Sequence, residues 1–284
     1  MKRAITELEQ LPDSRQFEEI SIGVEKIVEG MRRLDAAARS LSIAGNEYPA
    51  RILGNLAEEE ASKVLILADL VRCPAGRHAE RSRLLRYFYK HLPKGIYVEA
   101  CKWTGILTFD EMKRAIDSER ISSYLDGPND VDWIFPNQIL QRREDDLYVN
   151  YVRDDGSDDV RYWTSPLKDA LTSLFPYHRS ESIIIRIADA LCRLGATSPN
   201  GLEVMAEIWR PIKIVPELEI EELRKLNRST LDALDAHGVL RKCADDAGQI
   251  IIQRWPFPLY PLDLNLQEID KKDLRDRQQS WGQY

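Results

Sequence analysis

The sequence predicts a mainly α protein: an up-and-down helical bundle with a β-hairpin insertion, followed by a smaller mixed α/β part. Two observations carry this reading. Apolar residues recur at helical spacing over two long stretches early in the chain, and the pattern turns to alternation only after YLDGPNDVDW at 124–133. Length sets the frame, since 284 residues make one large domain or two modest ones. The expected division is 1–125 for the bundle, 126–166 for the hairpin extension, and 167–284 for a C-terminal helical part with its own hairpin and a polar tail.

Residues 17–45 read as the first helix. Ile20, Val24, Ile27, Met31, Leu34 and Leu41 stand on one helical face, and Gly45 and Asn46 break it. A second helix runs from about Pro49 to Arg72, with proline suited to a first turn and Pro74 and Gly76 ending it. A third starts near Ala79 and carries RLLRYFYKH (83–91), and Pro93 and Gly95 kink or stop it, because the residue before a proline disfavours helix. A fourth follows from Tyr97 into the 110s. DLYVNYV (146–152) alternates Leu147, Val149 and Tyr151; DDGSDD (154–159) is a turn and VRYW (160–163) a returning strand. After Pro166 come the helical stretches ESIIIRIADALCRLG, ELEIEELRKL and STLDALDAHG. VLRKCADDAGQIIIQRW (239–255) reads as a second hairpin and PFPLYPLDL as an extended run.

Composition narrows the classes. Hydrophobic residues make up 43% and charged residues 31%, ordinary values for a globular protein. No apolar run approaches the roughly 20 residues of a membrane span, and MKRAITELEQ has no apolar core behind its basic residues, so no secretory signal is expected. The four cysteines are scattered, without a C-x-x-C pair or zinc spacing, and read as reduced thiols of a cytoplasmic protein with no metal and no cofactor. The net charge of −7 argues against a whole-surface nucleic-acid binder, yet Arg72–Lys102 holds eight Lys/Arg against two acids. A phosphate ligand is expected to find that region first.

On a helical wheel of about 100° per residue, Glu60 falls inside the apolar stripe of Leu53, Leu56, Val64, Leu67 and Val71, with Glu59 and Lys63 at its edge. A carboxylate on a buried face needs a cation. Glu60 is therefore expected to be largely buried and paired with Arg86, Lys63 or a histidine. The same wheel sets His91 beside the apolar arc of the third helix and Arg86 beyond its other side, about 140° away.

Taken together, these features resemble abortive-infection proteins of the AbiV type, a branch of the HEPN (higher eukaryote and prokaryote nucleotide-binding) superfamily. The likeness covers roughly residues 17–166. An E-E-x-x-K signature falls on Glu59, Glu60 and Lys63, an H-x-x-K signature on His91 and Lys94, and an R-x4–6-H signature on Arg86 and His91. Ser62 stands where that family often has glycine, and Tyr87 where catalytic members carry a polar residue. The resemblance implies a HEPN-like bundle and a homodimer. It also implies a metal-independent endoribonuclease that halts translation in antiphage defence, with RNA as substrate and a phage-encoded protein as activator or inhibitor. It makes Arg86, His91, Glu60 and Lys63 catalytic and sets Glu59, Arg83, Lys90 and Lys94 on the substrate. Histidine moves protons near neutral pH, and arginine holds a phosphate bidentately. Before Pro93, His91 is expected at a helix C-terminus. Tyr87 and Tyr89 are expected at the dimer interface.

The competing expectation is a non-enzymatic partner-binding protein that arrests translation by docking, with the polar cluster holding the bundle together. In the C-terminal part, EELRKLNRSTLDALDAHGVLRK with the following hairpin reads loosely as helix-turn-helix and wing. Its five Lys/Arg against four acids from Glu221 to Lys242 suit DNA poorly.

Overall fold

A computed structural model describes residues 4–124, 134–135, 137–149, 151–154, 157–163, 182–243, 246–268 and 270. The architecture is mainly helical. After a 3₁₀ turn (Ile5–Gln10), α1 (Asp13–Ile43) and α2 (Glu47–Arg72) form a long helical hairpin. Its corner is a Schellman motif: Gly45 takes φ +77°, and the amide of Asn46 reaches back to the carbonyl of Leu41. Short helices follow: α3 (His78–Tyr87), α4 (His91–Lys102) and α5 (Phe109–Glu119). Strands β1 (Ser123–Tyr124) and β2 (Ile134–Phe135) pair antiparallel, α6 (Gln138–Leu147) comes next, and β3 (Tyr151–Asp154) pairs antiparallel with β4 (Ser157–Trp163). The C-terminal part contributes α7 (Ile183–Arg193), α8 (Pro199–Trp209), α9 (Ile220–Ala236) and α10 (Ala247–Arg254). No helix among the described residues is long and apolar enough to cross a membrane.

Helix α2 is the centre. It packs against α1, α3, α4, α6, α7 and α8, and every residue from Ala61 to Arg72 except Lys63 is buried. One hydrophobic cluster takes in Phe17 to Ile116 and Ile184 to Leu264, so residues on both sides of the expected 126–166 extension share a core. The extended segment after α10 buries Trp255, Phe257, Leu259, Tyr260, Leu262 and Leu264.

A buried polar knot ties these pieces. Asp69 and Arg72, one turn apart on α2, form an ion pair with almost no solvent exposure. Asp69 also accepts from the Tyr97 hydroxyl (2.6 Å) and the Leu259 amide (2.7 Å). The Arg72 guanidinium lies against the rings of Trp209 and Trp255, 4.8 and 4.2 Å from their centroids. Each group thus has the partners that burial demands.

Several expected elements are corrected. The third helix does not run to Pro93: it ends at Tyr87, and a new helix starts at His91 with Pro93 in its first turn. Proline is tolerated there because first-turn amides have no intrahelical acceptor to lose. The expected strand over 146–152 is overridden at its start, since α6 continues through Leu147 and β3 begins at Tyr151. The second hairpin is replaced by α10, whose Ile250, Ile251 and Ile252 are all buried between α7 and α9. Tertiary burial outweighs the strand preference of three isoleucines. ELEIEELRKL and STLDALDAHG are one helix, α9. Helices α6 and α8 were not expected. The polar tail from 271 onward lies outside the described residues.

Candidate functional site

The α2–α4–α6 corner assembles around Glu59. This residue sits on the α2 face turned toward α4 and α6, with its side chain 16% exposed. His91, the first residue of α4, places Nδ1 3.0 Å from both Glu59 carboxylate oxygens. Lys94, one turn along α4 and buried, donates to Glu59 at 2.5 Å. Arg143 reaches in from α6, its Nε 3.0 Å from Glu59 Oε1. Burial alone would raise the Glu59 carboxyl, but the hydrogen bond and charge of Lys94, and then His91, outweigh it and hold the group below its usual range.

Local packing explains why three helices meet here. The Ser62 hydroxyl donates to the carbonyls of Glu58 (2.8 Å) and Lys94 (2.9 Å), tying α2 to α4. Gly95 lets α6 approach α4: a Cβ there would lie 2.2 Å from Ile139 Cγ2. Asn137 caps α6 by accepting from the amides of Ile139 and Leu140. A cleft of about 190 Å³ opens beside the cluster, lined by Asn55, Glu59, His91, Lys102, Arg142 and Arg143 among others.

A carboxylate has no proton to give, so Nδ1 of His91 donates to Glu59 and fixes the ring. In the neutral ring, Nε2 then carries the lone pair, and it has no hydrogen-bond partner among the described residues. A carboxylate orienting one nitrogen of a part-exposed histidine, with the other left for a ligand, is an arrangement suited to moving protons.

The expected site residues divide. His91, Glu59 and Lys94 come together. Glu60 does not join them: its side chain is part-buried at 28% exposure, and it pairs, as expected, with Lys63, one turn along the same helix. Lys63 lies over the Phe88 ring at 5.3 Å. Arg86 is exposed on α3, with no hydrogen bond or ion pair to Glu59 or Glu60. Arg83 donates to the Tyr260 carbonyl and Lys90 to Asn265, so both hold the C-terminal segment. His91 stands at a helix N-terminus, the opposite end from the one expected. Tyr87 is buried within its own chain, its hydroxyl donating to Asp263 (3.0 Å) and accepting from the Leu264 amide, and so has no surface to offer a dimer. Nor is the basic run one face. Arg72, Arg81 and Lys94 are buried, and Arg81 donates to the carbonyls of Leu70 and Cys73. Arg143 escaped the sequence reading because α6 did; Asn137, a strong N-cap type after a proline, was the available signal.

Comparison with protein-family models, with curated proteins and with solved structures yields no match for this chain.

Proposed function

We propose that the chain is a metal-independent endoribonuclease, with His91 as its proton-moving group, serving the antiphage abortive-infection role that the resemblance implies. The observation that supports this reading is the Glu59–His91 pair, which holds Nδ1 and leaves Nε2 without a partner among the described residues on a histidine that lines a cleft. In this reading Nε2 takes the proton of a ribose 2′-OH as its oxygen attacks the adjacent phosphorus. The bond to the 5′-oxygen breaks, and that oxygen leaves with a proton from water. Glu59, and not Glu60, orients His91, and Arg143 and Lys94 balance its charge. Arg86, exposed on α3, is the cation that a homodimer would bring to the phosphate.

Pure protein with RNA in excess EDTA tests the reading. RNA fragments are expected to end in 2′,3′-cyclic phosphate, and DNA, lacking the 2′-OH, is expected to survive. His91→Ala should lose on the order of 10²–10⁴-fold in rate with its melting temperature unchanged. Equal cleavage by wild type and a folded His91→Ala protein removes His91 from the chemistry.

One observation favours the non-enzymatic reading. The cleft is not basic: Lys102, Arg142 and Arg143 face Glu58, Glu59, Glu99 and Asp146. With Glu59 held by three partners, the cluster also serves as a clamp joining α2, α4 and α6, and a docking protein needs no more from it. In that case wild-type protein leaves RNA intact, and His91→Ala alters neither growth arrest nor RNA.

A further inference from the structure

A second cleft, of about 270 Å³, lies where the last turn of α4 and the loop after it meet α9, the end of α10 and the segment beyond. Trp255 and Phe257 make a fixed, buried floor, while Trp103 stands half-buried and Met112 adds apolar surface. Two guanidinium groups, Arg224 and Arg254, share the lining, which includes no acidic side chain. Three other clefts among the described residues each carry three or four acids. The cations here are lightly used. Arg254 makes a long 3.5 Å contact to the Cys101 carbonyl, and Arg224 pairs through one terminal nitrogen with Glu221, outside the lining.

Two donors on these lining residues are also left unsatisfied. The Nε of Arg224 and the indole Nε1 of Trp255 are both buried without an acceptor among the described residues. Buried donors are ordinarily satisfied, and a donor left alone favours any acceptor brought to it. Two under-used guanidinium groups ask for an anion, and their planar fork matches a carboxylate. The aromatic lining asks for a flat apolar body, held by face or edge contact. The volume lies just below the range of about 300–1,000 Å³ that holds drug-sized molecules, so one or two rings fill it.

We propose that this cleft is a binding site for a small aromatic carboxylate, with its ring against Trp103 and Met112 and its carboxylate on Arg224 and Arg254. The site does not include His91 and stands whether or not the ribonuclease reading holds.

Isothermal titration calorimetry on the full chain tests this with three probes: indole-3-acetate, phenyl phosphate and neutral 3-methylindole. Indole-3-acetate is expected to bind with Kd below about 1 mM, and 3-methylindole at least about tenfold more weakly, since it forfeits the charge-assisted pair. Arg254→Gln and Arg224→Gln, each checked by thermal melting, should each weaken indole-3-acetate by about tenfold, and His91→Ala should bind as wild type does. Tighter binding of phenyl phosphate would replace the carboxylate assignment with a phosphate one. Absence of indole-3-acetate binding, equal binding of 3-methylindole, or unchanged affinity in both folded arginine variants would overturn the proposal. The probe comparison needs wild-type protein alone, so it decides even where a variant fails to fold.

Discussion

At Glu59 one carboxylate accepts from His91, Lys94 and Arg143, and Lys94 has almost no other access to water. Removing such a partner costs more than the pair contributes, because the buried cation stays behind. Glu59→Gln should therefore destabilise the protein by about 3 kcal/mol at pH 7, read by urea unfolding. The pH dependence has a definite sign. The folded carboxyl lies below its ordinary value of 4.5, so its contribution is fully present above that pH and is lost as pH falls through the lower folded value. Wild type and Glu59→Gln are expected to converge in stability on acidification. A gap that stays constant from pH 7 down to pH ~3 would mean Glu59 is not held as described. The sequence showed Glu59, Glu60 and Lys63 together and singled out Glu60, which pairs with Lys63, while Glu59 is the acid that meets His91 and Lys94. A wheel with one buried stripe selects Glu60, whereas α2 is enclosed from several sides and its edge residues are covered as well.

Helix α6 depends on one missing methyl group. A Cβ at position 95 would overlap Ile139 Cγ2, and a β-branched side chain has little χ1 freedom to move aside. In an open helix Gly→Ala stabilises by roughly 0.5–1 kcal/mol, so the sign of this substitution reports the contact. Gly95→Ala is expected to cost about 1–3 kcal/mol, the usual range for overpacking, and Ile139→Ala in the same chain should recover most of the loss added by the alanine. A double-mutant cycle with no coupling between the two positions would place α6 elsewhere. At this scale the elements differ in how legible they are from sequence. The α1–α2 hairpin was legible because both helices are long and periodic. Helix α6 was not, because ten mostly polar residues give no stripe, and its position rests on Asn137 and on the gap at Gly95. The break between α3 and α4 falls before Pro93 and not at it, because a proline three residues into a helix is as consistent with a start as with a kink or a stop.

For the whole molecule, the Asp69–Arg72 knot carries the consequence least visible in the sequence. An acid and a base three apart on a helix usually form an exposed pair worth a few tenths of a kcal/mol. Here the same spacing lies at the centre of the protein and touches α4 through Tyr97, α8 through Trp209 and the C-terminal segment through Trp255 and Leu259. Since Phe17–Ile116 and Ile184–Leu264 contribute to one core, the expected division at 126–166 predicts one behaviour and the packing another. Urea unfolding followed by tryptophan fluorescence and far-ultraviolet circular dichroism should give one coincident transition. Asp69→Ala leaves Arg72 buried without its counter-ion and should shift that transition by roughly 3–5 kcal/mol without splitting it. Replacing both groups by apolar residues, Asp69→Leu with Arg72→Met, should cost less than the sum of the single changes, because no charge is then stranded. Two separated transitions in the wild type would mean that the C-terminal helices fold apart from α1–α5. A single transition that Asp69→Ala leaves in place would mean that the knot does not hold them together.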